Sequence, residues 1–218
     1  MSSRATPAEP ARRAPRLYLV TPRDAAGLAD ELAQALGAAD VAAVLLRLPA
    51  SDDRDRVNHA KALAPTVQDK GAALLIDGHP ELAARAGADG AHLTGIAALK
   101  DALATLKPAR IAGCGDLASR HDAMLAAEAG ADYVMFGEPD AGGRRPAFAA
   151  IAERVAWWAE VFEIPCVGFA GSLDEVEALA AAGADFVAVG DFVFADGRGC
   201  AAAVADAARR LTAAETIA

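Results

Sequence analysis

Apolar and polar positions in this chain follow two alternating rhythms. Short apolar, often β-branched runs such as Leu17-Tyr18-Leu19-Val20-Thr21 and Val44-Leu45-Leu46 are each followed by an Ala- and Leu-rich stretch with apolar residues every three or four positions. The runs read as buried strands and the stretches as amphipathic helices. Strands are expected at 17–21, 41–48, 72–76, 89–93, 109–114, 132–136, 165–168 and 185–189. Helices are expected at 24–36, 53–69, 80–86, 96–106, 117–129 and 172–182, around Trp157 and Trp158, and in a last Ala-rich run ending near Leu211.

Gly-Ala-Asp recurs at residues 87–89, 130–132 and 183–185, with a looser Gly37-Ala38-Ala39-Asp40. Glycine just past a helix can take the left-handed conformation that satisfies the last carbonyls, and a strand opens directly after it. The copies are too far apart for one βα unit and suit two, so they should precede every second strand. Parallel strands joined by helices form either an open doubly wound sheet or a closed barrel, and eight of them favour closure. The expectation is a single (β/α)8 TIM barrel over residues 16–218, with 1–15 a disordered N-terminal tail.

Composition narrows the function. With 54% apolar residues in 218, one large core is affordable. A net charge of −9 without a basic stripe argues against a nucleic-acid surface and for a small-molecule partner. Cys114, Cys166 and Cys200 lie far apart with no C-x-x-C, which indicates neither a disulfide framework nor a zinc site and suits a reducing cytoplasm. There is no run of eighteen apolar residues, so no membrane partner is expected. P-loop, G-x-G-x-x-G, H-E-x-x-H and nucleophile-elbow patterns are all missing.

In a barrel, chemistry belongs on the loops after the strands. Gly171 and Ser172 after strand seven and Gly190 after strand eight are candidates to bind phosphate through bared amides; Ser172 with Glu175 also reads as a capping box needing no ligand. Asp191 would repel such an anion. Arg47, inside an apolar strand, needs water, an ion pair or an anionic ligand. Asp77 could meet a cation or an amine, or simply form a turn with Gly78. His92 is either an acid–base group or a hydrogen-bonded structural residue. Cys114, between two glycines, is read as lining. The Gly-rich loop from Glu138 to Arg145 suits a lid, with Arg144 and Arg145 either clamping a diphosphate or lying in solvent.

Together the segments Leu17-Tyr18-Leu19-Val20-Thr21, Ala86 to Leu93, Gly130 to Gly137 and Ile164 to Gly171 resemble the thiamine phosphate synthase family. The resemblance implies a TIM barrel that joins a hydroxymethylpyrimidine diphosphate to a thiazole phosphate, releases pyrophosphate and uses Mg2+. It carries Arg47 over from the family's Gln-x-Arg-x-Lys, with Leu45 and Pro49 at the flanking places. Asp77-Gly78 stands where the family has Asn-Asp, so Asp77 is the remaining metal candidate; the second metal aspartate falls at Ala97. Cys114 replaces a serine, Arg144 and Arg145 replace Thr-x-Thr-Lys, and the paired glycines of the phosphate loop are Ala170-Gly171. Thiazole tautomerase relatives share the architecture, and their catalytic histidine falls at Asp116. A barrel that binds a phosphorylated small molecule without transforming it is the third reading, and a homodimer stays open.

Overall fold

The computed structural model describes residues 14–23, 27–140 and 142–215. Eight parallel strands close in chain order: β1 (Arg16–Val20), β2 (Val41–Leu46), β3 (Ala73–Asp77), β4 (Gly90–Thr94), β5 (Ile111–Gly115), β6 (Tyr133–Phe136), β7 (Cys166–Ala170) and β8 (Phe186–Val189), which pairs back onto β1. Around them lie α1 (Leu28–Ala38), α2 (Asp53–Gln68), α3 (Pro80–Ala86), α4 (Ile96–Leu106), α5 (Arg120–Ala129), α6 (Phe148–Val161), α7 (Leu173–Ala181), the four-residue α8 (Asp191–Phe194) and α9 (Cys200–Glu215). This is the expected (β/α)8 barrel. The proposed tail falls outside the described residues except for Ala14 and Pro15, and so does the expected helix start at 24–26.

Alternation along the strands builds two cores. Leu17, Leu19, Val44 and Leu46 face outward and pack under the helices; Tyr18, Val20, Leu45, Leu75, Tyr133, Met135, Val167 and Phe169 fill the barrel. Trp158 is fully buried in the outer core, stacked on Phe162.

Gly-Ala-Asp does more than punctuate. Gly87, Gly130 and Gly183 have φ of 73°, 93° and 109° in the order 87, 183, 130, the left-handed region glycine tolerates. The aspartates that follow accept backbone N–H groups at the start of the preceding strand: Asp89 from Leu74 at 2.7 Å, Asp132 from Ala112 at 2.7 Å and Asp185 from Cys166 at 2.8 Å. Each carboxylate thereby ties two neighbouring strands at the N-terminal end, the end of the barrel that carries stability.

Two boundaries move functional residues. β2 stops at Leu46, so Arg47 lies just beyond the strand, and its N–H turns to the Thr21 hydroxyl at 3.1 Å. β7 runs on to Ala170, which places Phe169 inside the barrel wall; only Gly171 and Ser172 remain in the loop.

Candidate functional site

At the C-terminal mouth the loops after the strands enclose a cavity of about 980 Å³. Arg47, Asp77, His92, Asp116, Arg144 and Arg145 all line it, as do Arg23 and Glu138. Most of the residues singled out from the sequence are thus brought to one opening. Cys114 is not. Its side chain is fully buried in the core between barrel and helices, because the inward positions of β5 are Gly113 and Gly115. The expectation that Cys114 lines the substrate site is therefore corrected, and burial pushes its thiol up to about 12.

A polar column rises through the barrel to this mouth. The Tyr18 and Tyr133 hydroxyls are 2.8 Å apart, Tyr133 Oη is 2.9 Å from His92 Nδ1, and His92 Nε2 is 3.6 Å from Glu138 Oε1. Only one direction employs every proton: Tyr18 donates to Tyr133, Tyr133 donates to Nδ1, and Nε2–H faces the carboxylate. The reverse would strand the Tyr18 proton and turn a nitrogen lone pair on Glu138. Burial, reinforced by Asp77 and Glu138, holds Tyr18 well above the ordinary phenol range, and burial does the same to Tyr133, so both remain donors.

Glycines make room for the column. A Cβ on Gly113 would come within 2.0 Å of the Tyr133 ring, and one on Gly115 within 1.6 Å of Glu138 Oε1 and 2.6 Å of His92 Nε2. Glu138 Oε1 also accepts the Asp116 N–H at 2.7 Å. Asp116 itself has φ 52°, an unusual conformation for a residue with a side chain and one that concentrates at functional sites. His92 is the more deeply buried of the pair, so the carboxylate is the more accessible from the cavity.

Charges on the opposite wall are paired. Arg23 Nη2 is 3.2 Å from Asp77 Oδ2, and Arg47 Nη1 is 3.6 Å from Asp191 Oδ1. Asp191 thus faces a cation as well as any ligand. Arg144 is mostly exposed and clasps Asp140 through Nε and Nη2 at 3.1 and 3.0 Å. Asp140 also accepts the Arg144 and Gly142 N–H groups; led by the Arg144 amide, these contacts hold its carboxyl below the usual range.

The corner after β7 holds an anion of its own. Arg145 donates to the Gly137 and Phe169 carbonyls at 3.1 and 2.7 Å and to Glu175 Oε2 at 2.7 Å, and the same oxygen accepts the Gly171 N–H at 2.6 Å. Ser172 Oγ accepts the Glu175 N–H at 3.3 Å as a helix cap. Gly190 closes the first turn of α8 by accepting from Val193, with the Phe169 ring beside it. The Gly171 amide, the Ser172 hydroxyl and the Gly190 carbonyl therefore have internal partners, and the Glu175 carboxylate sits where an amide and a guanidinium converge.

Among the described residues no group of three or more His, Cys, Asp or Glu side chains could hold a metal ion. Asp77, the metal candidate, carries a guanidinium. With that carboxylate engaged, these residues do not fit a protein-held Mg2+.

A family model described as thiamine monophosphate synthase matches residues 17–193, from β1 into α8. The chain belongs to this family. It is 41% identical over 196 residues to the thiamine-phosphate synthase of Rhodospirillum centenum, covering 88% of this chain and 95% of that protein. The Hyphomonas neptunium thiamine-phosphate synthase is 36% identical over 199 residues, 87% and 90% of the two chains. The thiamine phosphate pyrophosphorylase of Pyrococcus furiosus has the same fold, with a TM-score of 0.78 at 20% identity over 91% of this chain and 96% of that one. For a thiamine monophosphate synthase family member, the sequence reasoning missed Arg23, Tyr18, Tyr133 and the role of Glu138. The two tyrosines did leave a signal: a polar tip at inward positions of apolar strands.

Proposed function

We propose that this protein joins a hydroxymethylpyrimidine diphosphate to a thiazole phosphate and releases pyrophosphate. The observation that carries the reading is a cavity at the end of the barrel where chemistry is built, lined by Arg23 and Arg47 after β1 and β2 and by the Glu138 carboxylate after β6. In this reaction the bond from the pyrimidine's carbon to the diphosphate oxygen breaks, its electron pair leaves with the diphosphate, and the thiazole nucleophile bonds to that carbon. Negative charge grows on the leaving group and positive charge on the pyrimidine.

Arg47 lies against the first and Glu138 against the second. Arg47 is placed at the rim by the bond from its backbone N–H to Thr21, and with Asp191 3.6 Å from its guanidinium most of the fork is open to ligand. Glu138 is fixed through one oxygen by the Asp116 amide, and His92 faces that oxygen at 3.6 Å as a positioning residue. The corner of Gly171 and Arg145 suits the phosphate of the thiazole, in exchange for the Glu175 carboxylate. No helix among the described residues is long and apolar enough to cross a membrane.

The test is direct. Purified protein with both substrates and magnesium should form thiamine phosphate and pyrophosphate in equal amounts; neither product at any enzyme concentration would rule the reading out. The strained Asp116 beside Glu138 favours one alternative, proton transfer in a thiazole tautomerase-like reaction. Thiazole tautomerisation by the wild type, lost in Asp116→Asn, would move the assignment there.

A further inference from the structure

The five arginines that line the cavity differ in how far their donors are engaged. Arg144 is closed on Asp140 through two nitrogens. Arg145 is taken up by two carbonyls and Glu175. Arg154 donates to the Leu117 and Ala118 carbonyls at 2.6 and 3.0 Å. Arg23 and Arg47 each hold one carboxylate, at 3.2 and 3.6 Å, the second beyond a proper hydrogen bond. A guanidinium presents five N–H donors in a fork that matches phosphate oxygens, so most of the capacity of these two is available to a ligand.

Their placement is equally informative. Arg23 follows β1 and Arg47 follows β2, while their partners Asp77 and Asp191 end β3 and begin the turn after β8. In the closed barrel β8, β1, β2 and β3 are consecutive neighbours, so both cations stand in one quadrant of the mouth. Asp77 is the carboxylate at which a protein-held divalent cation would be sought. Its side chain is largely buried while that of Arg23 is mostly exposed, so the guanidinium caps the carboxylate from the cavity side.

We propose that Arg23 is a diphosphate-binding residue that, held by Asp77 and acting beside Arg47, supplies in this quadrant the positive charge a protein-held divalent cation would bring. The inference rests on the thiamine phosphate synthase reading, since it takes diphosphate as the anion. When the carbon–oxygen bond breaks, the electron pair stays on the departing diphosphate. Arg23 and Arg47 meet that charge with no change in their own protonation. Asp77 holds Arg23 in place before ligand arrives.

Inorganic pyrophosphate is the probe, titrated calorimetrically into the full chain in EDTA and again in excess magnesium. Wild type should bind in both, with affinities within about threefold of each other. Arg23→Ala should weaken binding in EDTA by about tenfold or more, and Arg23→Lys should fall between, keeping the charge but not the fork. Asp77→Asn should weaken binding in EDTA, by less than Arg23→Ala does, because the guanidinium keeps its charge but loses the carboxylate that places it. Matching thermal melts establish that the variants are folded. Binding by wild type only in magnesium, or Arg23→Ala binding like wild type in EDTA, would overturn the inference while leaving the thiamine phosphate synthase reading standing if both products still form. No pyrophosphate binding in either medium, with no turnover, would remove both.

Discussion

The tyrosine column makes a quantitative prediction for Tyr133→Phe. Tyr133 Oη serves two neighbours at once, Tyr18 at 2.8 Å and His92 Nδ1 at 2.9 Å, and all three residues are buried. Phenylalanine keeps the ring and its packing but strands the Tyr18 proton and the His92 lone pair. A buried polar group left without a partner costs about 1–3 kcal/mol, so two of them should cost about 3 kcal/mol in all. Tyr18→Phe strands no donor, because Tyr133 still has His92, and should cost only about 1 kcal/mol. In the double variant the Tyr18 hydroxyl is gone and only His92 is stranded. The pair should therefore destabilise by about 1–2 kcal/mol less than the sum of the singles. Urea unfolding followed through Trp157 and Trp158, with unchanged m values, measures all three. Additive effects, or Tyr18→Phe costing as much as Tyr133→Phe, would refute a single shared hydroxyl. Nitrogen NMR of His92 checks the direction of the column, which requires the Nε2–H tautomer.

Two other predictions concern stability and the anion corner. Glu175→Gln should trade one against the other: α7 loses part of its cap, about 1 kcal/mol, while inorganic phosphate binds more tightly to Gly171 and Arg145 once the competing carboxylate is neutral. Calorimetry showing no gain in phosphate affinity would count against this corner as the phosphate site. For Cys114, the folded thiol keeps its proton up to about 12 against an ordinary 9.0. Above pH 9 the unfolded chain releases that proton first, so the thiol's contribution is whole below pH 9 and is lost as pH climbs towards 12. Cys114→Ala should flatten the alkaline fall in unfolding free energy. Rapid alkylation of native Cys114 at pH 8.5, mapped by mass spectrometry, would contradict its burial.

The barrel was legible because its signals are local and repeated. Gly-Ala-Asp, apolar runs and Ala-rich helices recur often enough that errors of two or three residues at strand ends leave the architecture unchanged. Those same small errors mattered for the site. Ending β2 at Leu46 moves Arg47 from the wall to the rim, and extending β7 to Ala170 moves Phe169 into the lumen. Cys114 was misread because a stretch of Gly-Cys-Gly does not tell which of its residues faces in; β5 turns its glycines inward to accommodate the Tyr133 ring and Glu138.

What the residues alone determined is the periodic part: eight parallel strands, their order, and a mouth carrying Arg47, Asp77 and His92. Period and punctuation act between near neighbours, and any chain with this pattern must bury the same faces. What tertiary structure decided is pairing across the ring: Arg23 on Asp77, Glu138 on His92, Glu175 on Gly171, and Tyr18 under Tyr133. Such contacts join residues from separate βα units, and their distances follow from closure of the barrel, which no local pattern encodes.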